Sequence, residues 1–154
     1  MKKASGTERM HRFSFSKAAY EKITKEAQLV YPKECCGMLF GRENEIRYAF
    51  PVQNRASSEK SLTHFEMDPL LVYQAECEAE KEGMELLGFY HSHPDCPPDP
   101  SSEDLAYMIP GMHYFILSIE QGTEKELKGY TKVPGRKEPF PVMIEKGVMK
   151  SCRF

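Results

Sequence analysis

The sequence predicts an α/β or α+β domain on a mixed sheet, with about six strands and about three helices not in strict alternation. Two capped segments carry apolar residues at helical spacing. Short apolar runs bounded by turn residues surround them. The chain has 154 residues, near the size of one domain, with 40% hydrophobic and 29% charged residues, an ordinary globular balance. A chain of this size buries roughly 68–70% of its unfolded surface and needs no staples.

Residues 1–10 read as a frayed tail, with Met10 an alternative start to Met1, and 11–154 as a single domain. Ser16 caps a helix over 17–30, where Tyr20, Ile23, Ala27 and Val30 share a face, and Pro32 stops it. MLFGR (38–42) and EIRYAF (45–50), joined at Glu43-Asn44, read as a hairpin. The polar, Ser-rich stretch from Gln53 to Thr63 reads as a loop. Asp68 caps and Pro69 opens a second helix, with Leu70, Tyr73 and Cys77 at helical spacing and Gly83 at its end. ELLGFYHSH (85–93) reads as a strand. A rigid loop with four prolines (93–102) follows, then a short helix from Ser102 to Ile109. HYFILSI (113–119) reads as a buried strand, and Glu126–Val133 and Pro139–Glu145 as final strands.

Composition excludes several functions. No run approaches ~18 apolar residues, so no membrane span is expected. The N-terminus lacks the apolar core of a secretory signal. A net charge of −2, from 21 basic and 23 acidic residues, disfavours nucleic acid and anionic lipid as partners. Five cysteines, Cys35 and Cys36 adjacent, argue against a disulfide framework and for a reducing, cytoplasmic setting.

The chemistry concentrates in His91-Ser92-His93-Pro94, six residues, then Ser101-Ser102-Glu103-Asp104. Alternation along a strand puts Leu87, Phe89, His91 and His93 on one face, with the imidazoles side by side at its carboxyl end. The loop returns the chain so that Asp104 falls in the first turn of the next helix. Two histidines and a carboxylate suit a catalytic zinc, with water in the fourth position. Each part also has a plain structural reading: surface histidines, a proline turn, and a capping box from Ser101 to Asp104.

HSHPDCPPDPSSED resembles the metal-binding motif of the JAMM (MPN+) metalloprotease family, H-x-H-P-x(6)-S-x-x-D. The family's upstream glutamate segment, E-x-x-G before an apolar strand, is matched by Glu34-Cys35-Cys36-Gly37 and Met38-Leu39-Phe40. The resemblance covers roughly residues 12–135 and favours the compact, stand-alone bacterial branch. It implies a cytidine-deaminase-like JAMM fold, a mixed central sheet flanked by about three helices. It implies Zn²⁺ on His91, His93 and Asp104, Glu34 as general base, and Ser101 as donor to the oxyanion. The implied substrate is a ubiquitin-like sulfur-carrier protein, cut after its C-terminal Gly-Gly.

Other readings stay open at this level. One is a non-catalytic MPN-type binding scaffold. Another is a cysteine hydrolase using Cys35 or Cys36 with His91 as base, although such cysteines usually pack as small hydrophobes. Ser92 points away from the histidines and reads as packing or hydrogen bonding. Cys96 lies near enough in sequence to approach the metal as a fourth ligand. His11, His64 and His113 read as solvated or structural.

Overall fold

The computed structural model describes residues 12–56 and 67–146. The expected tail, His11, His64 and the part of the 53–63 loop from residue 57 onward lie outside them. The elements are β1 (Arg12–Phe15), α1 (Lys17–Val30), β2 (Cys36–Arg42), β3 (Glu45–Val52), α2 (Pro69–Lys81), β4 (Glu85–Pro94), α3 (Ser102–Tyr107), β5 (His113–Glu120), β6 (Thr123–Thr131) and β7 (Phe140–Lys146). No helix among the described residues is long and apolar enough to cross a membrane.

The strands form one mixed sheet that closes in the order β1-β3-β2-β4-β5-β6-β7. β1 runs parallel to β3 and β7, and β4 parallel to β5; the other pairs are antiparallel. Closure depends on β1, an element that the sequence does not announce. Its four residues pair Arg12 with Met143 at one side and Phe15 with Ile46 at the other. Phe13 and Phe15 are 1% exposed, and each meets Phe115 edge-on at 5.3 Å between centroids.

α1 begins as expected, with Ser16 Oγ accepting from Ala19 N at 3.0 Å. Ile23 and Ala27 are fully buried with Phe15, Leu39, Ile46, Leu117 and Ile119. Full burial of one such isoleucine stabilises the fold by about 1.5–3 kcal/mol. The β2–β3 turn is also as expected: Glu43 and Asn44 have φ of 51° and 64°, both in the left-handed region that a two-residue hairpin of this twist requires.

α2 is capped by Asp68, whose Oδ1 accepts from Leu70 N at 3.0 Å. Its buried face is not the Leu70-Tyr73-Cys77 stripe. Leu70 is 61% and Tyr73 64% exposed, while Ala75 and Ala79 are buried against Met38, Phe40 and Val52. The two alanines allow the helix to approach the sheet closely, which larger side chains would prevent. β2 is thus covered on both faces, Leu39 toward α1 and Met38 and Phe40 toward α2.

The expected common face for Leu87, Phe89, His91 and His93 is corrected by a β-bulge. The β2–β4 register jumps, with Leu39 opposite Gly88 but Phe40 opposite Leu86. Leu87 therefore packs in the α1 core with Tyr90, while Leu86 and Phe89 pack in the α2 core. One extra residue flips every side chain beyond it. α3 also ends earlier than expected, at Tyr107.

Tyr90 donates its hydroxyl to Glu26 Oε1 at 2.6 Å. Burial pushes the Glu26 carboxyl above its usual pKa, against the opposing effects of Tyr90 and Lys22. A raised folded pKa gives stability that is complete below the unfolded value and lost as pH rises through the folded one. Glu26→Gln, which keeps an acceptor for Tyr90, should therefore gain Tm over the parent as pH rises from 5 to 8. Paired thermal melts across that range read the difference, and a gap independent of pH would contradict the assignment.

Candidate metal centre

The carboxyl end of β4 and the amino end of α3 meet where β4 pairs in parallel with β5, a common place for sites in such sheets. His91 and His93 are 3% and 5% exposed there. His91 Nε2 and His93 Nε2 lie 3.2 Å apart, and Asp104 Oδ2 lies 3.2 and 3.1 Å from them. Among the described residues this is the group of potential metal-holding side chains whose donor atoms converge.

Local chemistry aims each donor. Asp104 sits in a capping box: Ser101 Oγ accepts from Asp104 N at 3.0 Å, and Ser101 N donates to Asp104 Oδ2 at 2.9 Å. His93 Nδ1 faces the Pro97 carbonyl at 2.8 Å. A carbonyl only accepts, so Nδ1 carries a proton there, and Nε2 is the nitrogen left facing Asp104 and available to hold a cation. The loop bearing Pro97 is held by Tyr130, whose hydroxyl donates to Pro98 O at 3.0 Å.

Burial holds His91 below the ordinary imidazole range, against the opposing pull of Asp104. Burial also opposes charge on His93, but the hydrogen bonds to Asp104 and Pro97 outweigh it and raise the pKa. Burial likewise opposes charge on Asp104; the histidine hydrogen bonds win and hold it well below the usual carboxylate range. A carboxylate and two imidazole nitrogens crowded together are a set that a cation would satisfy. Tetrahedral zinc with bonds of about 2.0 Å has edges of about 3.3 Å, close to the observed triangle.

Glu34 lies on the segment between α1 and β2 and is 6% exposed. Its backbone is held from two sides. Asn54 Nδ2 donates to Glu34 O at 3.0 Å, and Cys35 N donates to Ser92 Oγ at 2.8 Å. Burial pushes the Glu34 carboxyl up to about 8, opposed by His93 and reinforced by Asp104 and Glu103. The Glu34 carboxyl thus lies within electrostatic reach of His93 and Asp104. Gly37, at the end of the Glu34-x-x-Gly37 pattern, faces Tyr90; a Cβ there would overlap the Tyr90 hydroxyl.

The remaining candidates separate. Cys35 and Cys36 are buried, and burial pushes the Cys35 thiol up to about 12, so neither is a ready thiolate. Cys96 is exposed and outside the convergent group. His113 is structural, with Nδ1 against Thr131 Oγ1 at 2.8 Å and its ring on Phe13. Sequence reasoning did not find Asn54, the Pro97 carbonyl, or Asp95. Asp95 Oδ2 accepts from Tyr31 at 2.6 Å and Oδ1 from Gln121 N at 2.7 Å, tying the proline loop to the Glu34 segment and the β5–β6 turn. A backbone carbonyl leaves no mark in a sequence; an asparagine just past a strand leaves a faint one.

The description "Prokaryotic homologs of the JAB domain" matches residues 16–129. The chain belongs to this family. A desampylase from Pyrococcus furiosus is 40% identical over 92 residues, covering 60% of this chain and 64% of that protein. A protein from Thermus thermophilus described as a probable TtuB-protein conjugate cleaving protease is 40% identical over 74 residues, 48% of each chain. The chain thus spans less than two thirds of the length of these curated relatives. The solution structure of a protein from Desulfitobacterium hafniense superposes with a TM-score of 0.72 at 28% identity, covering 87% of this chain and 92% of that one. In this JAB-domain chain His91, His93 and Asp104 bring their donor atoms together where β4 ends and α3 begins.

Proposed function

We propose that this JAB-domain chain is a zinc-dependent JAMM metalloprotease. It hydrolyses the peptide or isopeptide bond after the C-terminal Gly-Gly of a ubiquitin-fold sulfur-carrier protein. The observation that carries the reading is the convergence of three donor atoms at 3.1–3.2 Å beside a buried glutamate. A non-catalytic scaffold has no need of such a donor set. The conjugate-cleaving relative supports the substrate class. The free cysteines fit a reducing, cytoplasmic setting. A donor set shared between a strand end and a helix start is the support for a cytidine-deaminase-like description.

His91, His93 and Asp104 would hold the zinc through Nε2, Nε2 and Oδ2. When bound, zinc lowers the pKa of a water ligand toward about 7 and polarises the scissile carbonyl. Glu34 takes a proton from the attacking water and hands it to the leaving amine. Its burial makes the carboxylate basic enough to take that proton. Ser101 Oγ accepts from Asp104 N, which leaves its own proton free to donate to the developing oxyanion.

Zinc-loaded protein incubated with a ubiquitin-fold carrier bearing an isopeptide-linked lysine after Gly-Gly should release the free carrier, read by mass. Intact carriers after exhaustive incubation, with both peptide and isopeptide extensions, would sink the substrate assignment. Ser101→Ala should lower kcat by about 10²–10³, as loss of an oxyanion donor does elsewhere. The lost cap should also destabilise α3 by about 1 kcal/mol. A kcat within twofold of the parent would leave Ser101 with the cap alone.

A further inference from the structure

We propose that Ser92, the residue between the two histidines, is a positioning residue for Glu34; this rests on the peptidase reading. Ser92 is fully buried and lies on the face of β4 opposite His91 and His93. The β2–β4 ladder pairs Cys36 with His91, so Cys35 comes next, opposite Ser92. Ser92 N donates to Cys35 O at 3.1 Å, as in a regular antiparallel pair. The return bond differs. Cys35 N bonds the Ser92 hydroxyl at 2.8 Å, in the place where a ladder would offer the Ser92 carbonyl.

That exchange lets the chain leave the ladder at Cys35 without orphaning a buried amide. Glu34, the preceding residue, is then free of the strand register, and its carboxyl lies within electrostatic reach of His93 and Asp104. Asn54 holds the Glu34 carbonyl on the other side. Without the hydroxyl, the Cys35 amide is left unpaired in the core or regains it by slipping back into register. Either response moves Glu34. A misplacement of about 1 Å at a reacting group costs on the order of 10²-fold in rate. The role acts through Glu34 and not through the metal, because the Ser92 side chain points away from the ligands.

The test compares Ser92→Ala, Ser92→Thr and Leu127→Ala in zinc-loaded full-length protein on the Gly-Gly isopeptide substrate. Leu127 belongs to the same buried core but lies away from the Glu34 segment, so it controls for lost stability. Ser92→Ala should lower kcat about 10–100-fold with KM within twofold, and keep its full zinc content by elemental analysis. A folded Ser92→Thr should recover most of the loss, and Leu127→Ala should stay within twofold of the parent. Unchanged kcat in Ser92→Ala, loss of zinc from it, no recovery in folded Ser92→Thr, or an equal loss in Leu127→Ala would each overturn the role. If the parent cleaves no conjugate, the peptidase reading fails, and Ser92 is judged by amide exchange. Ser92→Ala should speed exchange at Cys35 at least tenfold over its neighbours; no change there overturns the inference on its own.

Discussion

Glu34→Gln should lower kcat by about 10²–10⁴, the range supplied by a positioned general base, while KM and zinc content stay near the parent values. The amide has the size of the carboxylate and keeps its hydrogen-bonding shape, but it cannot take a proton from water. Glu34 is not one of the convergent donors, so metal binding has no reason to change. The same substitution carries a second signature. In zinc-free protein the parent carboxyl sits at about 8, raised by burial. Between the ordinary carboxyl range and about 8, the folded chain keeps a proton that the unfolded chain releases. Stability therefore falls as pH rises through that window, and the deficit is complete above it. Glu34→Gln should remove the deficit and raise Tm, most of all above about pH 8. Steady-state kinetics with elemental analysis check the first effect, and melts against pH check the second. Full turnover in Glu34→Gln would remove Glu34 from the chemistry.

Zinc should raise the Tm of the parent by about 5–11 °C at a concentration near 100 times its Kd. Binding to the folded state alone stabilises by about 2.7 kcal/mol there, and each kcal/mol is worth about 2–4 °C for a domain of this size. His91→Ala should abolish that shift, because it removes one of three donors at a site held together by those donors. The comparison is made within each protein, with and without zinc, since His91 is buried and its loss also leaves a cavity and an unbalanced Asp104. Glu34→Gln should retain the shift. A parent with no shift and no bound zinc would return the chain to a binding scaffold.

Much of the fold was legible because it is written in local chemistry. Ser16 and Asp68-Pro69 start helices through their own side chains. Glu43-Asn44 closes a hairpin by its own backbone preference. β1 was not legible, because Arg12–Phe15 is too short for a pattern and its partners at Met143 and Ile46 are distant in the chain. The stripe of Leu70 and Tyr73 announced the second helix but not its buried face. Apolar spacing tells that a helix has a face, but the alanines at 75 and 79 decide which face comes closest. The candidate site divides in the same way.

By itself, the sequence determined the donor types, their spacing, and the family to which the chain belongs. Two imidazoles at i and i+2 on a strand share a face by covalent geometry, and that held for His91 and His93 despite the bulge at Leu87, because both lie beyond it. Only the tertiary structure decided which way that face points, how deeply Glu34 is buried, and what holds it there. A bulge is set by the neighbouring strand, a raised pKa by the solvent that packing removes, and an exchanged hydrogen bond by two segments that meet only when the chain folds.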